Sequence, residues 1–228
     1  MRKLWEFVIT GGPCSGKTTG LDTLEPYFIK KGYKVIVVPE TATEVIKSGI
    51  LFKDVPAGVF QEVVFDRSLL KEATTKTLAK YYDQDIIIFY DRGLMDGKAY
   101  MDPDGFVELL KLRGFTEEKV YKRYDSVFHM VTAANGAEKF YTVENNKARS
   151  EGIEEARELD EKTFDAWKGH KNLYRIDNST SFDEKINRLI NYVEKEIERK
   201  KWVNLGRKEL SNKIALFIFM IRIKKYNY

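Results

Sequence analysis

One cysteine, Cys14, in 228 residues excludes an intramolecular disulfide and any zinc site built from several thiolates. Two histidines, His129 and His170, are the other soft ligands, too few for an expectation of transition-metal chemistry. No apolar run reaches the roughly eighteen residues that a membrane-spanning helix requires. The Met1-Arg2-Lys3 start leads into a short apolar stretch without a secretory core or cleavage site, and the expected location is cytoplasmic. Before residue 200 there is no internal repeat, no Pro/Gly/Ser-rich linker and no low-complexity tract, so a single continuous domain over 1–200 is expected.

Hydrophobic residues make up 43% of the chain and aromatics 13%, enough bulky material for a packed core and inconsistent with a disordered polymer. The net charge of +4 is unevenly spread: residues 199–228 hold 9 Lys or Arg and 1 Asp or Glu, leaving 30 against 34 in residues 1–198. An acidic body is a poor binder of nucleic-acid backbone, so no nucleic-acid partner is expected of it. The basic tail, 201–228, carries the apolar run Ile214 to Ile221. That run is too short to span a bilayer, and it reads as a strand or a buried helical turn.

Short β-rich runs alternate with stretches of helical period, which predicts an α/β fold: a five-stranded parallel sheet with helices on both faces. The predicted strands are Leu4 to Thr10, Lys34 to Pro39, Ile86 to Tyr90, Ser126 to Thr132 and Leu173 to Ile176. The clearest helices are Lys17 to Lys30, Val59 to Tyr82, Glu151 to Lys168 and Phe182 to Lys200. In the last, Phe182, Ile186, Leu189, Ile190, Val193 and Ile197 form one apolar stripe, and Ser181 with Glu184 forms a capping box.

Between the first strand and the first helix stands Gly11-Gly12-Pro13-Cys14-Ser15-Gly16-Lys17-Thr18, followed by Thr19. This is the G-x-x-x-x-G-K-[ST] spacing in the strand–helix context its mechanism demands. Glycines allow successive amides to turn inward around a phosphate, the helix start adds its positive end, Lys17 supplies an ammonium, and the Thr18 hydroxyl suits magnesium. The reading is a nucleoside triphosphate site over residues 11–19. Cys14 is read as a small loop-filling residue.

The third strand delivers Asp91 and Arg92 to the sheet edge beside this loop: Asp91 as a magnesium-holding acid, Arg92 as a phosphate-neutralising cation. Glu40 follows the second strand, placed either to accept a proton from an acceptor hydroxyl or to stabilise the start of the helix near Thr41. In the long helix Phe60, Val63, Val64, Leu70 and Thr74 share a face with Arg67, and Gln61 lies one position off it. Gln61 and Arg67 are therefore candidate substrate contacts, with a salt bridge as the other reading of Arg67. Lys147, Arg149 and Arg157 sit on a segment that reads as a helical lid over the triphosphate, or as ion-pair partners of Glu151, Glu154, Glu155 and Glu158. Asp177 and Asn178 follow the fifth strand, either as a nucleobase loop or as the cap of the final helix.

Gly11 to Thr18, Pro39-Glu-Thr-Ala-Thr43, Asp91-Arg-Gly-Leu-Met-Asp96, Glu155-Ala-Arg-Glu-Leu-Asp160 and Ile176-Asp-Asn-Ser179 together resemble the NadR-like P-loop ATPase/kinase family, which includes the TRPL translocation defect proteins. The resemblance covers roughly residues 4–197. It implies an adenylate-kinase-like P-loop fold and ATP or GTP with Mg2+, in a family that spans riboside kinases and trafficking proteins binding GTP and phosphoinositide. In the translocation-defect branch a triphosphate-tunnel domain follows, opening with an E-x-E-x-K strand. Glu196-Ile-Glu198-Arg-Lys200 fits that signature, but the helical phase through Ile197 reads it as the charged end of the last helix, and no tunnel-domain activity is expected.

Two functions follow as expectations. In the first, Lys17, Glu40, Asp91, Arg92, Arg149 and Arg157 serve phosphoryl transfer from ATP or GTP to a small-molecule acceptor. The second is a GTP-regulated trafficking module, peripheral to a phosphoinositide membrane or bound to a protein partner.

Overall fold

The computed structural model describes residues 2–51, 53–141 and 152–202. The chain divides into two compact units, residues 1–190 and 191–228.

In the first unit five strands lie in one sheet in the order β2-β3-β1-β4-β5. They are β1 (Leu4–Thr10), β2 (Lys34–Val38), β3 (Ile86–Asp91), β4 (Ser126–Met130) and β5 (Leu173–Ile176), and every adjacent pair is parallel. The five-stranded α/β architecture expected of the sequence is the one found. Residues Ile86 to Tyr90 of β3 are all buried, as befits a strand covered on both faces. Each such aliphatic or aromatic side chain contributes about 1.5–3 kcal/mol when removed from water.

The register sets Ile9 beside Asp91 and Thr10 beside His129. The carboxyl ends of the central strand β1 and its two neighbours, β3 and β4, therefore meet at one point, the place where ligands settle on open parallel sheets. The helices are α1 (Lys17–Lys30), α2 (Thr41–Lys47), α3 (Ala57–Ala79), α4 (Pro103–Leu112), α5 (Glu117–Tyr121), α6 (Ile153–Ala166) and α7, covering 182–190 in this unit. Ser181 caps α7 by accepting from the Glu184 amide at 3.3 Å, and Ile186, Leu189 and Ile190 on its stripe are buried. Phe182, expected on that stripe, is instead 43% exposed. In the second unit residues 191–202 are helical.

The predicted face of α3 is corrected. Phe60, Phe65, Glu72 and Ala79 are buried, whereas Leu70 is 65% exposed and Thr74 is exposed. The helix is rotated from the apolar phase because it buries an acid. Glu72 accepts from Arg123 Nε at 2.8 Å and Nη2 at 2.5 Å, and from the Tyr124 hydroxyl. A paired carboxylate can occupy a core position that an unpaired one cannot.

Between β3 and β4 lie a 3₁₀ segment, Leu94–Tyr100, and α4. The Pro103-Asp104-Gly105 run looks like a turn, yet Asp102 caps α4 through the Gly105 amide at 2.8 Å with Pro103 in the first turn, where its missing N–H costs nothing.

Candidate nucleotide and acceptor site

Residues 11–16 form a bend between β1 and α1. Gly11 (φ 144°), Cys14 (φ 54°) and Gly16 (φ 88°) take positive backbone angles. A Cβ on Gly11 would stand 2.0 Å from the Met130 carbonyl oxygen, so no side chain fits there. On Gly16 a Cβ would meet the Phe182 ring at 2.6 Å.

The bend is braced from behind. Asp160 Oδ1, on α6, accepts from the Gly12 amide at 2.7 Å and from the Thr132 amide at 3.1 Å. The Thr132 hydroxyl donates to the Pro13 carbonyl, and the Ala133 amide to the Cys14 carbonyl at 3.2 Å. His129 Nε2 lies 3.2 Å from the same Asp160 oxygen, though without the alignment of a hydrogen bond. Burial raises the Asp160 pKa, but His129 and the two amides outweigh it and hold the carboxyl below its ordinary value.

Lys17 opens α1 and is largely buried, while Thr18 and Thr19 in the first turn are exposed. At the end of β3, Asp91 Oδ1 is buried with no hydrogen-bond partner among the described residues. Burial pushes its pKa up, against the pull of the Lys17 ammonium and with the further push of Glu40. Arg92 adopts φ 67°. Its Nε donates to Glu40 Oε1 at 2.6 Å and its Nη1 to Asp96 Oδ1 at 3.1 Å. Burial would raise the Glu40 pKa, yet Arg92 and then Lys17, with a 2.6 Å hydrogen bond from the Thr43 hydroxyl, hold it down at about 2. Glu40 is thus an ionised carboxylate, at the start of α2 and in the cleft at once.

Glu40, Thr43, Asp91, Arg92 and Asp96 line a cleft of about 260 Å³ together with Pro13 of the loop, and its apolar wall includes Phe60, Phe65, Tyr100, Met101 and Phe106. Gln61 lines it and Arg67 does not. α3 contributes positions 57, 60, 61, 64, 65 and 68 to the wall; Arg67 is exposed and is not among them. Arg157 donates from Nε to the Ala134 carbonyl at 2.6 Å and pairs with Glu138 at 2.9 Å and Glu154 at 3.3 Å, so its guanidinium faces neighbours of the loop and of its own helix. Lys147 and Arg149 lie outside the described residues, as does the lid segment that carries them.

Beyond β5, Asp177 accepts from Ser179 and from Arg188 at 2.8 Å, which holds its pKa at about 2. Asn178 donates to the carbonyls of Thr132 at 2.8 Å and Asn135 at 2.7 Å. A second, open hollow lies there, bordered by Val131, Gly136 and Asn178.

Three functional positions escaped sequence reasoning. Asp96 gathers the Thr10 hydroxyl, Arg92, the Gly93 amide at 2.8 Å and Trp167 Nε1 at 3.1 Å. Asp160 and Lys185 hold the loop. Asp96 and Asp160 each close a motif quoted above without an assigned role, and Lys185 lies in no motif.

A family model described as AAA domain matches residues 6–185. Comparison with curated proteins gives no significant match. No helix among the described residues is long and apolar enough to cross a membrane.

Proposed function

This chain belongs to the AAA domain family of P-loop nucleotide-binding proteins, and from that premise we propose that it transfers the terminal phosphoryl group of ATP or GTP to the hydroxyl of an acceptor seated in the cleft. The observation that carries the reading is the convergence of Glu40, Asp91 and Arg92 in one largely apolar cleft that Pro13 of the loop also lines, with Lys17 close enough to perturb both acids.

In this proposal the amides of residues 11–16 and the Lys17 ammonium grip the β and γ phosphates. The buried, partnerless Asp91 oxygen and the exposed Thr18 hydroxyl suit a hard cation bound through oxygen. These two residues would hold Mg2+, which when bound neutralises charge on the phosphates. Glu40, already ionised and fixed by Arg92 and Thr43, accepts the hydrogen bond of the acceptor hydroxyl. That oxygen forms the new bond to phosphorus as the bond to the bridging oxygen breaks, and its proton passes to the carboxylate. Arg92 steadies Glu40 and adds positive charge beside the transferring group. Asp177 and Asn178 border the hollow assigned to the nucleobase.

The cleft wall bears the carboxylates of Glu40, Asp91 and Asp96 against one guanidinium that two of them already engage. The rest of the lining is mainly apolar, so the proposed acceptor is an alcohol with a largely apolar body. We read the motif set as resembling the NadR-like kinases, and propose 1–200 as the working domain with 201–228 as an appendage. Among the described residues nothing favours the phosphoinositide or protein-docking alternative.

A thermal-shift series with ATP, GTP, CTP and UTP plus magnesium tests the nucleotide step. A nucleotide at a hundred times its Kd adds about 2.7 kcal/mol, and Lys17→Ala should abolish the shift. Release of labelled phosphate to an alcohol library, lost in Glu40→Gln, tests the transfer. Binding without transfer to any alcohol would reduce the reading to a nucleotide-binding module.

A further inference from the structure

Lys185 lies in the first turns of α7, 2% exposed. Its ammonium donates to three oxygens from three different segments: the Ser15 carbonyl of the phosphate loop at 3.1 Å, the Val131 carbonyl just beyond β4 at 2.7 Å, and Asn178 Oδ1 after β5 at 2.7 Å. All three N–H bonds are used, and all three acceptors are neutral. Among the described residues Lys185 forms no ion pair within 4 Å. The surrounding charged groups are Asp160 on α6, Asp177 after β5, Arg188 on its own helix and Lys17 on α1, and His129 of β4 stands beside Asp160.

A buried ammonium without a contacting counter-ion is costly to maintain, and this one is bonded to a carbonyl of the loop read above as the phosphate site. We propose that Lys185 is a positioning residue of the phosphate site: its ammonium fastens the Ser15 carbonyl to the ends of β4 and β5 and keeps the loop in its anion-binding bend, with the bound phosphate acting as its counter-charge. The proposal rests on the nucleotide-binding reading, and it ties two loops that a nucleotide spans, the phosphate loop and the Asp177-Asn178 loop, to one side chain.

The chemistry makes the tie conditional. Burial brings the Lys185 pKa down to about 8, against the opposing pull of Asp160 and Asp177. A phosphate arriving at the loop favours the charged form, so the pKa rises on binding. By linkage, nucleotide binds best below pH 8 and loses affinity above it, by up to tenfold per pH unit until the bound-state pKa is reached.

The test is the Kd of magnesium ATP, and in parallel magnesium GTP, from pH 7 to pH 9.5, with a circular dichroism spectrum at each pH to verify the fold. The wild-type profile itself needs no variant, and affinity should fall at least tenfold between pH 8 and 9.5. Lys185→Met should bind at least tenfold more weakly at pH 7 and show no such fall. Asn178→Ala, which retains the ammonium but removes one acceptor, should move the fall to lower pH. A wild-type affinity independent of pH, or a Lys185→Met profile parallel to wild type, overturns this proposal alone. No nucleotide affinity in the wild type at pH 7 overturns the nucleotide reading and this proposal with it.

Discussion

Asp160 on α6 accepts a hydrogen bond from the Gly12 amide at 2.7 Å, so the helix that follows residues 142–151 is attached directly to the phosphate loop. The contact is also steric: a Cβ on Gly12 would lie 2.8 Å from Asp160 Cβ. Asp160→Ala leaves the Gly12 and Thr132 amides without their acceptor. Each orphaned buried donor costs about 1–3 kcal/mol, so urea melts at pH 7 should show a loss of about 2–6 kcal/mol. The folded pKa of Asp160 lies below its unfolded value. Its contribution is therefore complete above the unfolded pKa and disappears as pH falls through the folded one, and the gap between wild type and variant should narrow in acid.

Glu40 and Arg92 give a second prediction, on transfer rather than stability. Arg92→Met removes the larger of the two cations that hold Glu40 near pKa 2, and the carboxyl should titrate upward, an outcome readable by NMR. Under the proposed function, kcat for transfer should fall about 10²–10³-fold, the usual consequence of removing one preorganised charge stabiliser, with a smaller change in nucleotide Kd. In the wild type the stability owed to the Glu40–Arg92 pair is present above pH about 4.5, the ordinary carboxylate value, and is lost as pH falls toward about 2.

The loop backbone allows a sharper contrast. Gly16 at φ 88° faces the Phe182 ring, and Gly16→Ala meets both a disfavoured angle and a clash. The left-handed angle alone costs about 1–2 kcal/mol. Cys14 has the same kind of angle without being glycine. Cys14→Gly should preserve nucleotide binding in isothermal titration, and Gly16→Ala should lose it, with Gly16→Ala/Phe182→Ala recovering only the part due to the clash.

The strands and the phosphate loop were legible because their signals are local: β-branched runs, a glycine spacing and a carboxylate at a strand end. Glu40, Asp91 and Arg92 share one cleft, as expected from a topology that brings strand ends together. Asp160 and Lys185 were not legible, since their contacts to the phosphate loop span 148 and 170 residues, and no periodicity encodes such a contact. The phase of α3 was misread for a related reason. A buried acid on that helix is acceptable only because Arg123 and Tyr124, some fifty residues later, are brought to it by the fold. Arg67, read with the Phe60 face, is exposed and does not line the cleft.

That buried acid supplies the last prediction. Burial raises the Glu72 pKa despite the adjacent Arg123, so the folded protein holds this proton more tightly than the unfolded chain does, and Glu72 favours folding less as pH rises through its folded pKa. Arg123→Met strands the carboxylate and should cost about 3–5 kcal/mol at pH 7, part of it recovered at pH 5 as Glu72 takes up a proton. The Tyr124 hydroxyl, which donates to Glu72, also accepts from the Leu94 amide at 3.1 Å, three residues beyond Asp91. Tyr124→Phe should therefore cost about 1–3 kcal/mol and also disturb the loop that carries Asp91 and Arg92. Under the proposed function, chemical denaturation paired with kcat on the same samples separates the two: Arg123→Met acts chiefly on stability, and Tyr124→Phe lowers both.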